Sequence, residues 1–556
     1  MCIRDSFYTT RKELDSLRFS AEKAEYDIAT QQLKVSGIPF IIVADAKITP
    51  ENNEVLILEN AKIGQLKNTV IVLDTLNGYH RLTQGVVDII SRKEFTGYAT
   101  YQYVNSVNDT FNIKMTDFHL EAISAEGKTR KKGNVNATQQ TVGNGSVADT
   151  DKILVAPRIY YKGDMVMYAT RPALQLKGFV KLDFKKLKNY NTWLAYNQSG
   201  DEKDIYLDFD KTVTEEGRRA TAGLHFAQDN SLYITFIFDK KDEGDEDFFL
   251  PSGSLFFDKE SSQFKIEDRQ KAAGEKLSGK VFAYNEEKQE VGFEGPINFF
   301  KNTNGFKLTA SAIGSGSLTT NEIKMNSFIM ADMAIPDMAY QLMANNLLEV
   351  VKSEGVPEGL GDQTELLYKI SNLIGERVTK DYEQKSQQGY VSLGTVQGLI
   401  QPIVFSNVNL KWSQDRKAFY SEGTIGISNS NRLDINGAFE GFMEIRKNED
   451  GAPVFHVFFK ASPESWYYFG FEDNRLMVHS ANQPFNELIT KKSNARKAKL
   501  GELVFIPGTD EEALSFVNRF RLQYYGIEQP YDLTSGTSSA KKKEKKKEEK
   551  KEDDGF

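Results

Sequence analysis

Two carboxylates separated by one residue open the segment Asp208-Phe209-Asp210-Lys211-Thr212, directly after the apolar run Ile205-Tyr206-Leu207. Acids delivered in this way at the end of a strand can serve as nucleophile and general acid/base. The other chemistry-bearing residues are dispersed. His80, His119, His225, His456 and His479 show no metal-ligand spacing. His456 and His479 could approach each other across the last strands, but two histidines without a third ligand do not make a zinc site. Gly314 to Ser317 lacks the lysine of a phosphate-binding loop and reads as a flexible turn. Phe293-Glu294-Gly295 and Tyr420-Ser421-Glu422-Gly423 share an aromatic and a Glu-Gly pair, which reads as recurrent strand-entry geometry because neither glutamate has an acid partner in view. No catalytic, cofactor-binding or metal-binding residue is therefore assigned. The expectation is a protein that is not an enzyme and needs no cofactor.

The elements that must position these residues are mostly strands. Between Phe19 and Ile90 the apolar runs Leu33–Val35, Ile41–Val43, Val55–Leu58, Val70–Leu73 and Val86–Ile90 are β-branched and too short for helices. Ala46-Lys47-Ile48 recurs as Ala61-Lys62-Ile63, which suggests repeated rungs. Leu174, Leu176, Val180, Leu182 and Phe184 alternate with polar residues, the signature of a sheet with one wet face. The fold class expected is mostly β: stacked β-roll or solenoid-like and antiparallel sheet units, a helical hairpin insert and a C-terminal helix. The divisions read from the sequence are an N-terminal β-roll of short rungs over 7–125, a polar loop over 126–151 and an antiparallel β unit over 152–330. A helical hairpin follows over 331–390, then a β-meander over 391–500, a terminal strand and helix over 501–534, and a disordered Lys/Glu tail over 535–556.

Within the hairpin, Met338, Leu342, Leu347, Leu348 and Val351 have helical spacing, and a second helix is predicted from Thr364 to about Lys385 with Asp362 or Thr364 as cap. The terminal helix, Asp510 to about Tyr525, starts with acids that complement its dipole and ends at Gly526. The cluster Trp466, Tyr467, Tyr468, Phe469 and Phe471 could form a carbohydrate or lipid platform, although alternation sends half of it into a core.

Composition narrows the function. Across 556 residues the net charge is -8 and no basic stripe crosses the body, which argues against nucleic acid as a partner. Phe and Tyr supply much of the apolar surface, as pleated sheets favour. No stretch reaches the roughly 20 apolar residues of a membrane helix, so no transmembrane segment is expected here. The single cysteine, Cys2, lies in the opening Met1 to Ser6, MCIRDS, which resembles translated sequencing-adapter read-through. On that reading the native N-terminus lies upstream, and neither disulfides nor thiolate metal sites are expected.

Three resemblances add to this. Asp208-Phe209-Asp210-Lys211-Thr212 resembles the first motif of haloacid-dehalogenase-like phosphatases, which implies Asp208 as nucleophile and Asp210 as acid/base beside magnesium. The downstream lysine, the paired-acid motif and the alternation of strands and helices that this family needs do not follow. The stretch Phe19 to Ile90, with its Ala-Lys-Ile rungs and Val35-Ser36-Gly37-Ile38-Pro39, is similar to the β-rolls of lipopolysaccharide-transport bridge proteins and AsmA-like lipid-transfer proteins. Most of the chain, including Trp466-Tyr467-Tyr468-Phe469 and the ending Asp553-Asp554-Gly555-Phe556, is similar to the C-terminal part of large β-rich Bacteroidota envelope proteins of no known activity. These likenesses imply a non-enzymatic, extracytoplasmic scaffold, periplasmic or outer-membrane associated, with envelope proteins or lipid as partners in a groove of stacked sheets. The alternatives are an acid-residue hydrolase using Asp208 and Asp210, and a carbohydrate-contacting surface module.

Overall fold

In the computed structural model the described residues are 5–8, 15–74, 77–123, 139–187, 190–198, 204–303, 305–491 and 504–535. About 49% of the chain is strand and 17% helix, so the fold is mostly β, built from large curled antiparallel sheets. Two units divide it: residues 1–207 with 211–219, and residues 208–210 with 220–556.

The division does not fall at the polar stretch 126–151. Gln139–Val147 is a strand, paired on one side with Thr110–Ala122 and on the other with Ile159–Tyr168, so the chain re-enters the same sheet. Its small residues had read as loop, but they make room. A Cβ on Gly143 would lie 2.7 Å from the Phe118 ring, and one on Gly145 2.7 Å from the Met115 sulfur. Residues 124–138 and the tail 536–556 lie outside the described residues.

Curling of the first unit's 11-stranded sheet is shown by one hydrogen bond. Ala46–Thr49 and Gln139–Val147 are five places apart in strand order, about 24 Å in a flat sheet. Yet Asp45, in the turn before Ala46, accepts from the Thr141 backbone N–H at 2.9 Å and from its hydroxyl. The two Ala-Lys-Ile copies are not equivalent rungs. Ala46-Lys47-Ile48 lies in a strand of this sheet, whereas Ala61 closes a 3-10 turn and Ile63 makes an isolated bridge to Ile57.

The second unit is organised by a 14-stranded sheet in which strands follow chain order. Its central strands are β1 (Phe306–Ser317), β2 (Ile323–Met333), β3 (Ile403–Ser413), β4 (Ala418–Ser430), β5 (Leu433–Lys447), β6 (Pro453–Ser462), β7 (Ser465–Glu472) and β8 (Arg475–Ser480). Each is antiparallel to the next, and Val504–Pro507 adds in parallel beside β8. Phe306 on β1 stacks on Phe471 on β7 with ring centroids 4.4 Å apart, although the strands are six places apart in the sheet. Only a sheet rolled toward itself brings them together.

Three helices, α1 (Asp337–Glu354), α2 (Gln363–Ile374) and α3 (Glu376–Ser386), connect β2 to β3. The expected two-helix hairpin becomes three because Gly375, at φ 89°, breaks the second periodic run. Asp362 caps α2, accepting from the Glu365 N–H at 2.9 Å. A further short helix, Gln483–Thr490, interrupts what had read as continuous meander, with Asn482 as cap. Helix α4 (Asp510–Tyr525) begins in a Thr509–Glu512 capping box and ends at the left-handed Gly526.

Both faces of the sheet are covered in part. On the inner face, Asn346 of α1 accepts from the Tyr467 hydroxyl at 3.0 Å, and the three-stranded sheet of Ala222–Phe226, Leu232–Phe236 and Glu246–Phe249 presses Phe248 against Phe419, with centroids 5.0 Å apart. On the outer face, α2 and α3 bury Phe328, Met330 and Val404, while α4 buries Phe442, Phe458, Trp466 and Tyr468. The aromatic run Trp466 to Phe471 is therefore buried from both sides and offers no carbohydrate platform.

Candidate functional site

The structure sends the residues first weighed for chemistry to separate places. Asp208 ends a two-residue strand at the edge of the 14-stranded sheet, and Asp210 accepts from the Gly253 N–H at 3.2 Å. Both acids are exposed, on an antiparallel sheet rather than at the strand ends of a parallel α/β core. The histidines go separate ways. His80 bonds to the Arg171 carbonyl at 2.7 Å, His119 to the Asp117 carbonyl at 2.8 Å, His456 to the Tyr468 hydroxyl at 3.0 Å and His479 to Asp510 at 2.7 Å. Among the described residues no three potential ligands gather around a metal position. The two Glu-Gly pairs lie inside strands rather than at strand entries, and each glutamate holds a lysine: Glu294 with Lys271 at 2.6 Å, Glu422 with Lys411 at 2.7 Å.

One constellation has the form of a nucleophile relay. His225 Nδ1 stands 2.7 Å from Asp247 Oδ1, and its Nε2 stands 2.8 Å from Thr235 Oγ1. That order matches the hydroxyl, base and acid of acyl-transfer enzymes. Burial decides against it: His225 is fully buried and Thr235 is 3% exposed within the small inner sheet, so no substrate carbonyl reaches the hydroxyl. The relay is a satisfied polar network pinning three strands together.

An accessible polar concavity lies on the outer face, with α2 (Lys369 on Asn326) on one flank and α4 (Tyr524 on Tyr420) on the other. It is an open groove of about 580 Å³ whose floor is two cross-strand rows of β1 to β4. In one row Ile313, Asn326, Asn409 and Glu422 lie directly opposite one another; in the next come Ser315, Lys324, Lys411 and Tyr420. Lys324 and Lys411 are thus paired like charges, an arrangement that opposes folding unless something else neutralises it. Glu422 answers only Lys411, and among the described residues Lys324 has no carboxylate partner.

At the α2 flank of this floor lies the least expected group of the unit. Lys369 of α2 is 1% exposed, among Leu366, Ile370 and Phe328, and its ammonium donates to Asn326 Oδ1. Glu365 and Asp362 act on it without reaching ion-pair distance. Burial pushes the ammonium down to about 8, against the pull of those two acids. The helix that carries Lys369 is clamped in place. Glu376, the first residue of α3, accepts from the backbone N–H groups of Leu277 (3.0 Å) and Ser278 (2.7 Å), and Asn372 of α2 accepts from Gly279 at 2.9 Å. Burial works against the Glu376 carboxylate, but these N–H groups and Lys380 at 3.0 Å outweigh it and hold the carboxyl at about 2.

Two outcomes follow from these groups. Because the folded Glu376 lies below its ordinary 4.5, it stabilises the fold above that pH and stops doing so as the pH falls toward 2. Urea denaturation of the wild type and Glu376→Gln is expected to show a stability difference of about 2–3 kcal/mol at neutral pH that shrinks through this acid window. For Lys369 the sign is opposite. The unfolded chain binds the extra proton between pH 8 and 10.5, so wild-type stability rises across that window. Lys369→Met is expected to be more stable than the wild type by about 1–3 kcal/mol at pH 7, and to show no such rise.

Sequence reading did not single out Lys369, Asn326 or Asn409. A signal for Lys369 was present, since Leu366, Lys369, Ile370 and Leu373 share one helical face and place a charge in an apolar stripe. For the asparagines there was none, because their meeting depends on the register between β2 and β3.

No family model, curated protein or solved structure matches the chain.

Proposed function

We propose that the chain is a non-enzymatic β-scaffold of the cell envelope, working outside the cytoplasm, periplasmic or outer-membrane associated, and meeting lipid or partner proteins at its outer surfaces. The observation that carries the scaffold reading is the packing of the second unit's curled sheet. Its inner face is filled by Phe306, Phe419, Phe455, Phe459 and Phe471, which leaves the acyl-chain groove expected from stacked sheets without space there. The sealed relay at His225 agrees with a binding role, as does an accessible groove lined by amides, lysines and one glutamate. The envelope location rests on the resemblance of the chain to Bacteroidota envelope proteins. No helix among the described residues is long and apolar enough to cross a membrane.

Fractionation of cells expressing the protein from its native gene tests the location. Recovery with the periplasm or the outer membrane is expected, and recovery in the cytosol would overturn it. Lipid extraction of the purified protein followed by mass spectrometry tests the filled face: a stoichiometric acyl lipid retained through detergent washing is not expected and would restore the internal groove.

A further inference from the structure

We propose that the groove over β1–β4 is a binding site for an oxyanion, a phosphate or carboxylate group held between Lys324, Lys411 and the Asn409 amide. The inference goes beyond the scaffold reading and stands wherever in the cell the chain works.

The argument starts at Lys369. An ammonium only donates hydrogen bonds, so Asn326 must turn its oxygen toward Lys369 and its NH₂ away. That NH₂ then donates to Asn407 Oδ1 and, at 2.9 Å, to Asn409 Oδ1. Both of those asparagines have spent their oxygens inward, so each turns its own NH₂ away from Asn326. Asn409 is exposed and lines the groove, and its outward edge is a pair of donors. A buried lysine thus fixes the polarity of a three-amide relay that ends at the groove surface.

Charge points the same way. Lys324 and Lys411 face each other across β2 and β3, with Lys369 one amide behind them. Glu422 is the acid that lines the groove. Glu322 bears on Lys411 from just outside it, and Asp362 and Glu365 bear on Lys369 from the helix side. Between the two opposed lysines the available donors outnumber the acceptors, and an oxyanion supplies what is missing: acceptor oxygens for the Asn409 amide and a countercharge for Lys324. A phosphate or carboxylate on a small molecule and the phosphate of a lipid headgroup share this chemistry.

The test uses the complete chain at low ionic strength, with three probes: inorganic phosphate, acetate, and phosphatidylcholine vesicles with and without phosphatidic acid. Calorimetry measures the small anions and co-sedimentation the vesicles. Saturable binding of phosphate or acetate is expected, weakened about tenfold by Lys324→Ala and by Asn409→Ala, the loss of one charge-assisted hydrogen bond each. Both residues are exposed, so both variants keep the fold; Lys369→Met supplies a third, buried arm and weakens binding as well. Vesicle binding that needs phosphatidic acid and is displaced by phosphate identifies a headgroup in the groove. Phosphate or acetate binding without vesicle binding identifies a small anion. Absence of saturable binding to every probe overturns the site, as does vesicle binding that phosphate cannot displace, or Lys324→Ala and Asn409→Ala variants that bind like the wild type.

Discussion

Glu444→Ala is expected to lower the stability of the second unit by about 3 kcal/mol and to loosen α4 from the sheet. Glu444 is fully buried on the outer face of β5. It accepts from the Arg519 guanidinium at 3.2 Å and from the Tyr524 hydroxyl at 2.9 Å, both on α4, while Arg446 Nε lies 3.4 Å away. Burial alone would raise its carboxyl, but Arg519 and the Tyr524 hydroxyl outweigh burial and hold it below the usual carboxylate range. Alanine leaves two guanidinium groups and a phenol facing a void. The loss stays at the lower end for a broken buried pair, because the Arg519 side chain is 38% exposed and can turn to water. His456 does not take over the charge balance: burial pushes it down to about 4, so it is neutral at pH 7. Urea denaturation measures the loss, and limited proteolysis reads its location, with earlier cleavage around 510–525 than in the wild type. Glu444→Gln keeps the shape and is expected to fall between the two. Because the folded carboxyl lies below its unfolded value, the wild-type advantage is present above the ordinary glutamate range and fades as the pH drops beneath it.

Phe306→Ala is expected to cost about 3–5 kcal/mol, the range for emptying a fully buried phenylalanine. Phe306 meets Phe471 at 4.4 Å, Phe455 at 5.3 Å and Phe300 at 5.8 Å. Its ring therefore joins strands that share no ladder, and alanine both leaves a cavity and removes a tie across the roll. Phe306→Leu fills most of the volume and is expected to recover more than half of the loss. Thermal and urea denaturation measure both variants. A loss below about 1 kcal/mol for the alanine variant would show that the roll is held elsewhere.

How much of this was legible in the sequence depends on the distance over which each feature is decided. Strand alternation at Leu174 to Leu182, the cap at Asp362, the acidic start of the helix at Asp510 and the stop at Gly526 are local, and the structure has them. Gln139–Val147 was lost because its glycines answer side chains of another strand, which no reading of the segment by itself reveals. The Ala-Lys-Ile repeat misled for the reverse reason: a local likeness received two different pairings. The candidate site was hardest of all. Its floor is assembled by register across four strands, and its one buried charge arrives from a helix. Asp208 and Asp210, by contrast, were conspicuous in sequence and lie exposed at a sheet edge.

The stacking of Phe306 on Phe471 also sets an order of events during synthesis. The rings are more than a quarter of the chain apart, so β1 and β2 leave the ribosome long before the partner that closes over them exists. Until β6 and β7 emerge, Phe306 lacks the Phe455 and Phe471 rings that close over it, and the last strand of the growing sheet has a free edge. Such non-local closure cannot begin before translation delivers the later strands, so the open edge persists on the nascent chain for that interval. Chains stopped before Phe471 are therefore expected to aggregate rather than persist as a smaller folded sheet.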